Sequence, residues 1–239
     1  MNFNLSILNK SLLCALISVF AGFAAYAHAD YTTADIEPFV YTAPVLADGS
    51  LIVELSFDEI ESLISHDSSG NSNDAILSDD SVWAPGISGS AISFDGGDNR
   101  ALIPNDVIGT GSVTVCAEYN VNSTPAGVVL ISNNAFSVSL NVSGNFTVSN
   151  DGGTNSVSTT GTIVPGSWNH ICVARTESGD VSIYINGSLN VQGNAGTPVS
   201  GTEVGIGNSP WDDTRGFDGM IDDVKIYTGI LSASQISSI

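Results

Sequence analysis

"GSWNHICVARTESGDVSIYING", residues Gly166 to Gly187, decides the fold. Val181, Ile183 and Ile185 fall on alternate positions with Ser182 and Tyr184 between them, which is the period of a half-buried strand. Asn186-Gly187 is a strong hairpin signal, because a type I′ turn needs positive φ at both central residues; Ser178-Gly179 is a second turn signal. The stretch therefore predicts a three-strand antiparallel meander. Its Asn and Gly residues are turn chemistry and need no ligand, so its expected role is scaffold.

The same grammar continues on both sides. "LIVELSF" (51–57), "GSAISF" (89–94), "SVTVCAEYNV" (112–121), "GVVLIS" (127–132), "AFSVSLNV" (135–142) and "NFTVS" (145–149) are short, β-branched runs separated by Gly, Asn, Ser and Pro. "TEVGIG" (202–207) and "GMIDDVKIY" (219–227) follow the meander. Many short strands with no helix-length period between them predict an all-β, antiparallel sandwich of two sheets. The one helical signal is terminal: Ser232-Ala233-Ser234-Gln235 fits a capping box ahead of Ile236 and Ile239.

Lys10, the apolar run Ser11–Ala27 and the triplet Ala27-His28-Ala29 read as a secretory signal over residues 1–29. A membrane anchor is the rival reading, but the apolar run is only about 17 residues long and lacks a basic stop-transfer flank. Residues 30–50, with Pro38 and Pro44 and no clean period, form a leader, a linker or an added edge strand. About 210 residues then remain, enough for one cored β domain over 51–239. The formal net charge is −20, and loss of Lys10 makes it more negative by one. Such a surface repels nucleic acid and anionic membranes and favours divalent cations. Removal of the signal also removes Cys14 and leaves Cys116 and Cys172, an even pair that in an exported chain points to a disulfide.

Read in order, "LSFDE" (55–59), "DSSGNSNDA" (67–75), "PGISGSAISFDGGDN" (85–99), "SVTVCAEYNV", the quoted meander, "VGIGN" (204–208) and "GFDGMIDDVKIYTGILSASQI" (216–236) carry a family likeness. The chain resembles the laminin-G-like jelly-roll domains of the concanavalin A-like lectin/glucanase superfamily over about residues 51–239. The cysteine placement is similar to that of the pentraxins, where a "TVC" strand is bridged to an "HIC" strand; the matching positions are Cys116 and Cys172.

The resemblance also implies a structural calcium ion. In jelly rolls of this type the first and last strands lie near each other, which would gather Asp58, the Asp67–Asn71 loop and the pair Asp222-Asp223. Hard oxygen donors in turns suit Ca²⁺, and the expected ligands are Asp58, Asn71 and Asp222. The alternative is that "IDDV" alternates, one carboxylate facing solvent and the other bonding a turn. A ligand site of pentraxin type would correspond to Asn133-Asn134 and the loop Asn208–Asp213, with Trp211, Asp212 and Asp213. The match is incomplete, since an acid has become Asn133 and Ser209-Pro210-Trp211 replaces an acidic stretch. Trp168 is expected in the core, Trp83 in packing at the sheet edge, and Trp211 is the candidate exposed sugar platform, with a tucked loop as the alternative.

Catalytic motifs are lacking. Beyond the signal only His66 and His170 are available for a triad, and there is no G-x-S-x-G elbow to present a serine. The glucanase relatives carry an E-x-D-x-E pattern, which "DEIES" (58–62) does not match. The expectation is a secreted, non-catalytic binding module, acting outside the cell, at its surface or in a periplasm, with a glycan or protein as partner. An adhesive protein-interaction module is the alternative. A glycan-cleaving enzyme is the third reading; it would need two facing carboxylates, with Glu54, Glu118 and Glu203 on or beside predicted strands.

Overall fold

Val, Ile and Thr crowd a helix at χ1 and fit a pleated sheet, so runs rich in them, cut by Gly, Asn and Pro, settle as short strands. The computed structural model describes residues 49–78, 82–123, 128–141, 143–161 and 163–239; the expected signal segment and all of the 30–50 leader except Gly49 and Ser50 lie outside the described residues. In chain order the strands are β1 (Leu51–Leu55), β2 (Ile64–Ser65), β3 (Ala75–Leu77), β4 (Val82–Pro85), β5 (Ser90–Asp95), β6 (Ala101–Ile103), β7 (Val113–Val121) and β8 (Val129–Ser132). They continue as β9 (Ser137–Leu140), β10 (Phe146–Ser149), β11 (Val157–Ser158), β12 (Asn169–Arg175), β13 (Asp180–Ile185), β14 (Ser188–Asn194), β15 (Val204–Ile206) and β16 (Asp218–Thr228). A single turn of helix, α1 (Ala233–Ile236), follows.

Two antiparallel sheets make the sandwich. The first runs β14-β13-β12-β7-β16-β5-β4, and the second β11-β10-β9-β8-β15-β6-β3-β2. β16 carries β7 along one side and, along the other, β5 at its start and β1 at its end. The quoted stretch is the expected meander of β12, β13 and the start of the β14 hairpin, with Asn186 at φ 50° and Gly187 at φ 74° as a type I′ turn requires. β2, β3, β4, β6 and β11 are additions to the sequence reading, each two to four residues long and too short to show a period.

Alternate residues of the first sheet, among them Val115, Ala117, Ile171, Val173, Ile183 and Ile226, meet Val138, Leu140, Val148, Val204 and Ile206 of the second in one buried cluster. Each Val, Leu or Ile among them contributes about 1.5–3 kcal/mol on full burial. Tyr119 and Phe146 close one part of this core edge to face, ring centroids 4.8 Å apart. Trp83 packs against the cluster as expected. Trp168 does not belong to it: it precedes the first paired residue of β12 and stays half-buried, which corrects its expected place in the core.

The outer face of the first sheet holds a second, smaller cluster. Cys116 and Cys172 stand directly opposite each other on β7 and β12 and are joined in a disulfide. Tyr184, Leu231 and Ile236 pack around it. α1 is set down on this patch by its capping box, in which the Ser232 hydroxyl accepts the Gln235 amide and the Gln235 side chain accepts the Ser232 amide at 2.9 Å. β1 would expose a bare edge, but the 67–73 loop blunts it: Asn71 and Asn73 donate to the carbonyls of Leu51 and Ile52, and the Asp67 carboxylate accepts the Glu54 amide at 2.9 Å. No helix among the described residues is long and apolar enough to cross a membrane.

Candidate functional site

The first candidate is the carboxylate group where β1, β16 and the β4–β5 turn meet. A bulge in β16 at Asp222 and Asp223 slips the register against β7 by one residue, and Asp223 takes φ 46° to make it. Both oxygens of Asp222 are used: Oδ2 accepts the Ile87 amide at 3.0 Å and Oδ1 the Asp223 amide at 2.9 Å. Asp58 Oδ1 accepts the Ser90 amide at 2.8 Å, so two carboxylates distant in sequence pin one turn. Gly86 and Gly89 are glycines for this reason, since a side chain at either would strike Asp222 or Asp58.

The electrostatics are those of crowded negative charge. Burial, with Asp223 nearby, pushes the fully buried Asp222 up to about 6. Burial also raises Asp223; Lys225 opposes it while Asp58 and Glu54 add to it. Glu118, opposite Asp222 on β7, is raised by burial and by Asp223. Asn71 is engaged elsewhere, its amide donating to Leu51 O and Ser69 Oγ along β1. Beside it burial works against the Asp67 carboxylate, but the amides of Asn73, Glu54 and Ser69 outweigh it and hold Asp67 below the ordinary range. The structure thus gathers Asp58 and Asp222 on one turn, and none of the contacts described joins Asn71 to them.

A second grouping offers less. Cys116, Cys172 and the His170 ring lie within 4.8 Å of one another, but the sulfurs are bonded together and present no thiolate to an ion. Burial lowers the pKa of His170, with Lys225 adding to the effect.

The loop of Asn208–Asp213 is built from inside out. Asn208 and Ser209 are fully buried, Arg100 donates to Ser209 O and pairs with Asp213, and Asp212 accepts both the amide and the hydroxyl of Thr214. On this frame Trp211 is 51% exposed, as a platform requires. Asn133 is turned inward: its Oδ1 accepts the amides of Ala135 and Phe136 and its Nδ2 donates to Asp106, leaving Asn134 exposed beside it. The β15–β8 register, with Gly205 facing Ser132 and Ile206 facing Ile131, places Asn133-Asn134 and the 208–213 loop at opposite ends of β15.

For catalysis, His66 is exposed and paired with Asp74 at 3.3 Å, and among the described residues neither histidine ring is hydrogen-bonded to a serine. Glu54 and Glu118 belong to the first sheet, whereas Glu203 precedes β15 in the second. The sequence reading passed over Arg175, which is fully buried and donates to the carbonyls of Ile108, Gly109 and Gly111 with its guanidinium 5.6 Å from the Phe136 ring centre. Only its place inside an alternating strand could have marked it as an inward cation.

A family model described as the concanavalin A-like lectin/glucanases superfamily matches residues 95–237. No curated protein sequence matches the chain. Among solved structures, domain 4 of AbnA, a GH43 extracellular arabinanase from Geobacillus stearothermophilus in complex with arabinotriose, is similar at 22% identity and a TM-score of 0.67, covering 80% of this chain and 98% of that one. The binding domain of Paraclostridial Mosquitocidal Protein 1 is similar at 17% identity and a TM-score of 0.64, covering 79% of this chain and 51% of that one. Trypanosoma rangeli sialidase in complex with sialic acid follows at 16% identity and a TM-score of 0.62, covering 78% of this chain and 32% of that one.

Proposed function

The chain belongs to the concanavalin A-like lectin/glucanase superfamily, and from that premise we propose that it is an exported, non-catalytic module that binds carbohydrate. The observation that carries this reading is Trp211, a half-exposed indole held on a loop whose base is buried and cross-tied by Arg100. An aromatic face fixed in this way stacks on the apolar face of a sugar ring with little ordering cost. Asp212, Asp213 and, at the far end of β15, Asn134 supply polar groups for further contacts. The overlay on nearly the whole of an arabinanase domain that was solved with arabinotriose supports the same class of ligand. Export rests on the signal-like residues 1–29 and on the disulfide, which suits an oxidising compartment.

Calcium has a structural part in this proposal. Asp58 and Asp222 offer hard oxygens, and the upward shift of Asp222 and Asp223 marks negative charge that a bound cation would relieve. Asn71 would join them only by turning away from Leu51. A second reading, an extracellular protein-adhesion module, is favoured by one observation: Ile64 and Ile76 face each other on the edge hairpin of β2 and β3 and are 41% and 51% exposed.

A glycan array probed with the full chain and with Trp211→Ala tests the main reading. Binding that falls on the substitution supports it. A concentration-dependent size with no glycan retained transfers the case to adhesion, and release of reducing ends from polysaccharide establishes an enzyme.

A further inference from the structure

Where the segments 159–161 and 163–167 cross from the second sheet to the first, an open cleft of about 440 Å³ runs in between the sheets. Its size falls in the range of small-molecule sites, about 300–1,000 Å³. Tyr119 and Phe146 reach it from the core, Ile163 and Val164 form a wall, and Thr160, Asn169 and Asn190 stand at the polar side. The walls are tied down. Ile163 N donates to Gly144 O and Gly166 N to Val121 O, while the Asn190 amide both accepts from Thr160 N at 2.8 Å and donates to Thr160 O at 3.0 Å. Val164 is nevertheless 66% exposed, an apolar side chain held out beside the opening.

Tyr119 is the unexplained member. Its side chain is 1% exposed and lines the cleft, and none of the protein hydrogen bonds among the described residues engages its hydroxyl, which leaves that group to a partner in the cleft. Burial, and then Glu118 nearby, raise its pKa, so the phenol stays protonated and can both donate and accept. Among the described residues no Asp, Glu, Lys, Arg or His lines the cleft, and the chain as a whole carries a formal charge of −20. An anionic ligand would therefore enter against the field of the protein with no cation to receive it.

We propose that this cleft is a second glycan-binding site, selective for an uncharged sugar ring at the end of an oligosaccharide, whose hydroxyl pairs with Tyr119 while its apolar face lies against Ile163 and Val164. The inference rests on the carbohydrate reading above and adds to it a place distinct from Trp211 and a preference in charge.

The test uses the full chain, Tyr119→Phe, Val164→Asp and Trp211→Ala on one array of neutral oligosaccharides, arabinotriose among them, and of sialylated and uronic acid-containing ones. Tyr119→Phe keeps the ring against Phe146 and removes only the hydroxyl; Val164→Asp sits on an exposed position and puts a charge at the opening. Expected are signals confined to neutral glycans, a loss of about tenfold in Tyr119→Phe, as for one hydrogen bond, and a larger loss in Val164→Asp, with unfolding midpoints unchanged. Binding lost in Trp211→Ala and untouched in both cleft variants overturns the cleft and leaves the carbohydrate reading standing. So does binding confined to acidic glycans. A wild-type chain that retains no glycan overturns both.

Discussion

The Asp222 carboxylate accepts the Ile87 amide at 3.0 Å, across 135 residues of chain, and so ties β16 to the turn between β4 and β5. Burial and the neighbouring Asp223 raise Asp222 from 3.8 to about 6, so the folded state holds that proton more tightly than the unfolded one. The contribution is full below pH 3.8 and is lost as pH rises through about 6, at a cost of about 3 kcal/mol. Asp223 and Glu118, both raised first by burial, act in the same direction. In chelator the urea midpoint is expected to fall between pH 4.5 and 7, and Asp222→Asn to flatten that slope. An unchanged slope in the variant would assign it to general charge repulsion.

Gly86 tests the same joint by sterics alone. Its φ is unexceptional, but a Cβ there would strike Asp222 Oδ2 and lie 2.6 Å from Ser90 O. Gly86→Ala should cost about 1–3 kcal/mol. Gly111→Ala, with nothing within 4 Å of the new carbon, is the control and should stay within about 0.5 kcal/mol. Chemical denaturation of both variants at one pH gives the comparison.

Much of this architecture could be read from the chain. The Asn186-Gly187 turn and the alternation of Val181, Ile183 and Ile185 specify β13 and its hairpin through local backbone physics, and Ser232 with Gln235 specifies α1 in the same way. The bulge was hidden: "IDDV" looks like ordinary alternation, and only pairing against two neighbouring strands shows that Asp222 is drawn inward onto the 86–90 turn. Tyr119 reads as one aromatic in "SVTVCAEYNV", because what its hydroxyl meets is a property of its surroundings, supplied here by residues 27 or more positions away in Phe146 to Asn190. Asn133 and the 208–213 loop flank the short β15, and the loop turns back so that Pro210 lies over Gly205, opposite Ser132; that proximity comes from strand pairing and is not written in either segment.

Reduction should weaken the fold substantially. Cys116 and Cys172 close a loop with a sequence separation of 56, and such a crosslink is worth roughly 4 kcal/mol through the unfolded chain. The bond also anchors the outer cluster on which Ile236 sits. Cys116→Ala combined with Cys172→Ala is expected to lower the urea midpoint by that order and to loosen α1 first. Faster amide exchange at Ile236 and Ser237 than at Val173 in the double variant is the measurement.

Calcium is decided by linkage. An ion that binds the native state alone stabilises it by about 2.7 kcal/mol at one hundred times its Kd. At Asp58 and Asp222 it would also remove the cause of the raised carboxyl, because a divalent cation beside Asp222 favours the ionised form. Two effects should therefore appear together: a thermal midpoint several degrees higher in calcium than in EDTA, with magnesium much weaker, and a pH slope that disappears when calcium is added. Asp58→Asn and Asp222→Asn should abolish both. A midpoint that ignores calcium while the slope remains would leave the two carboxylates as anchors of the 86–90 turn, a role already filled by their bonds to Ile87 and Ser90.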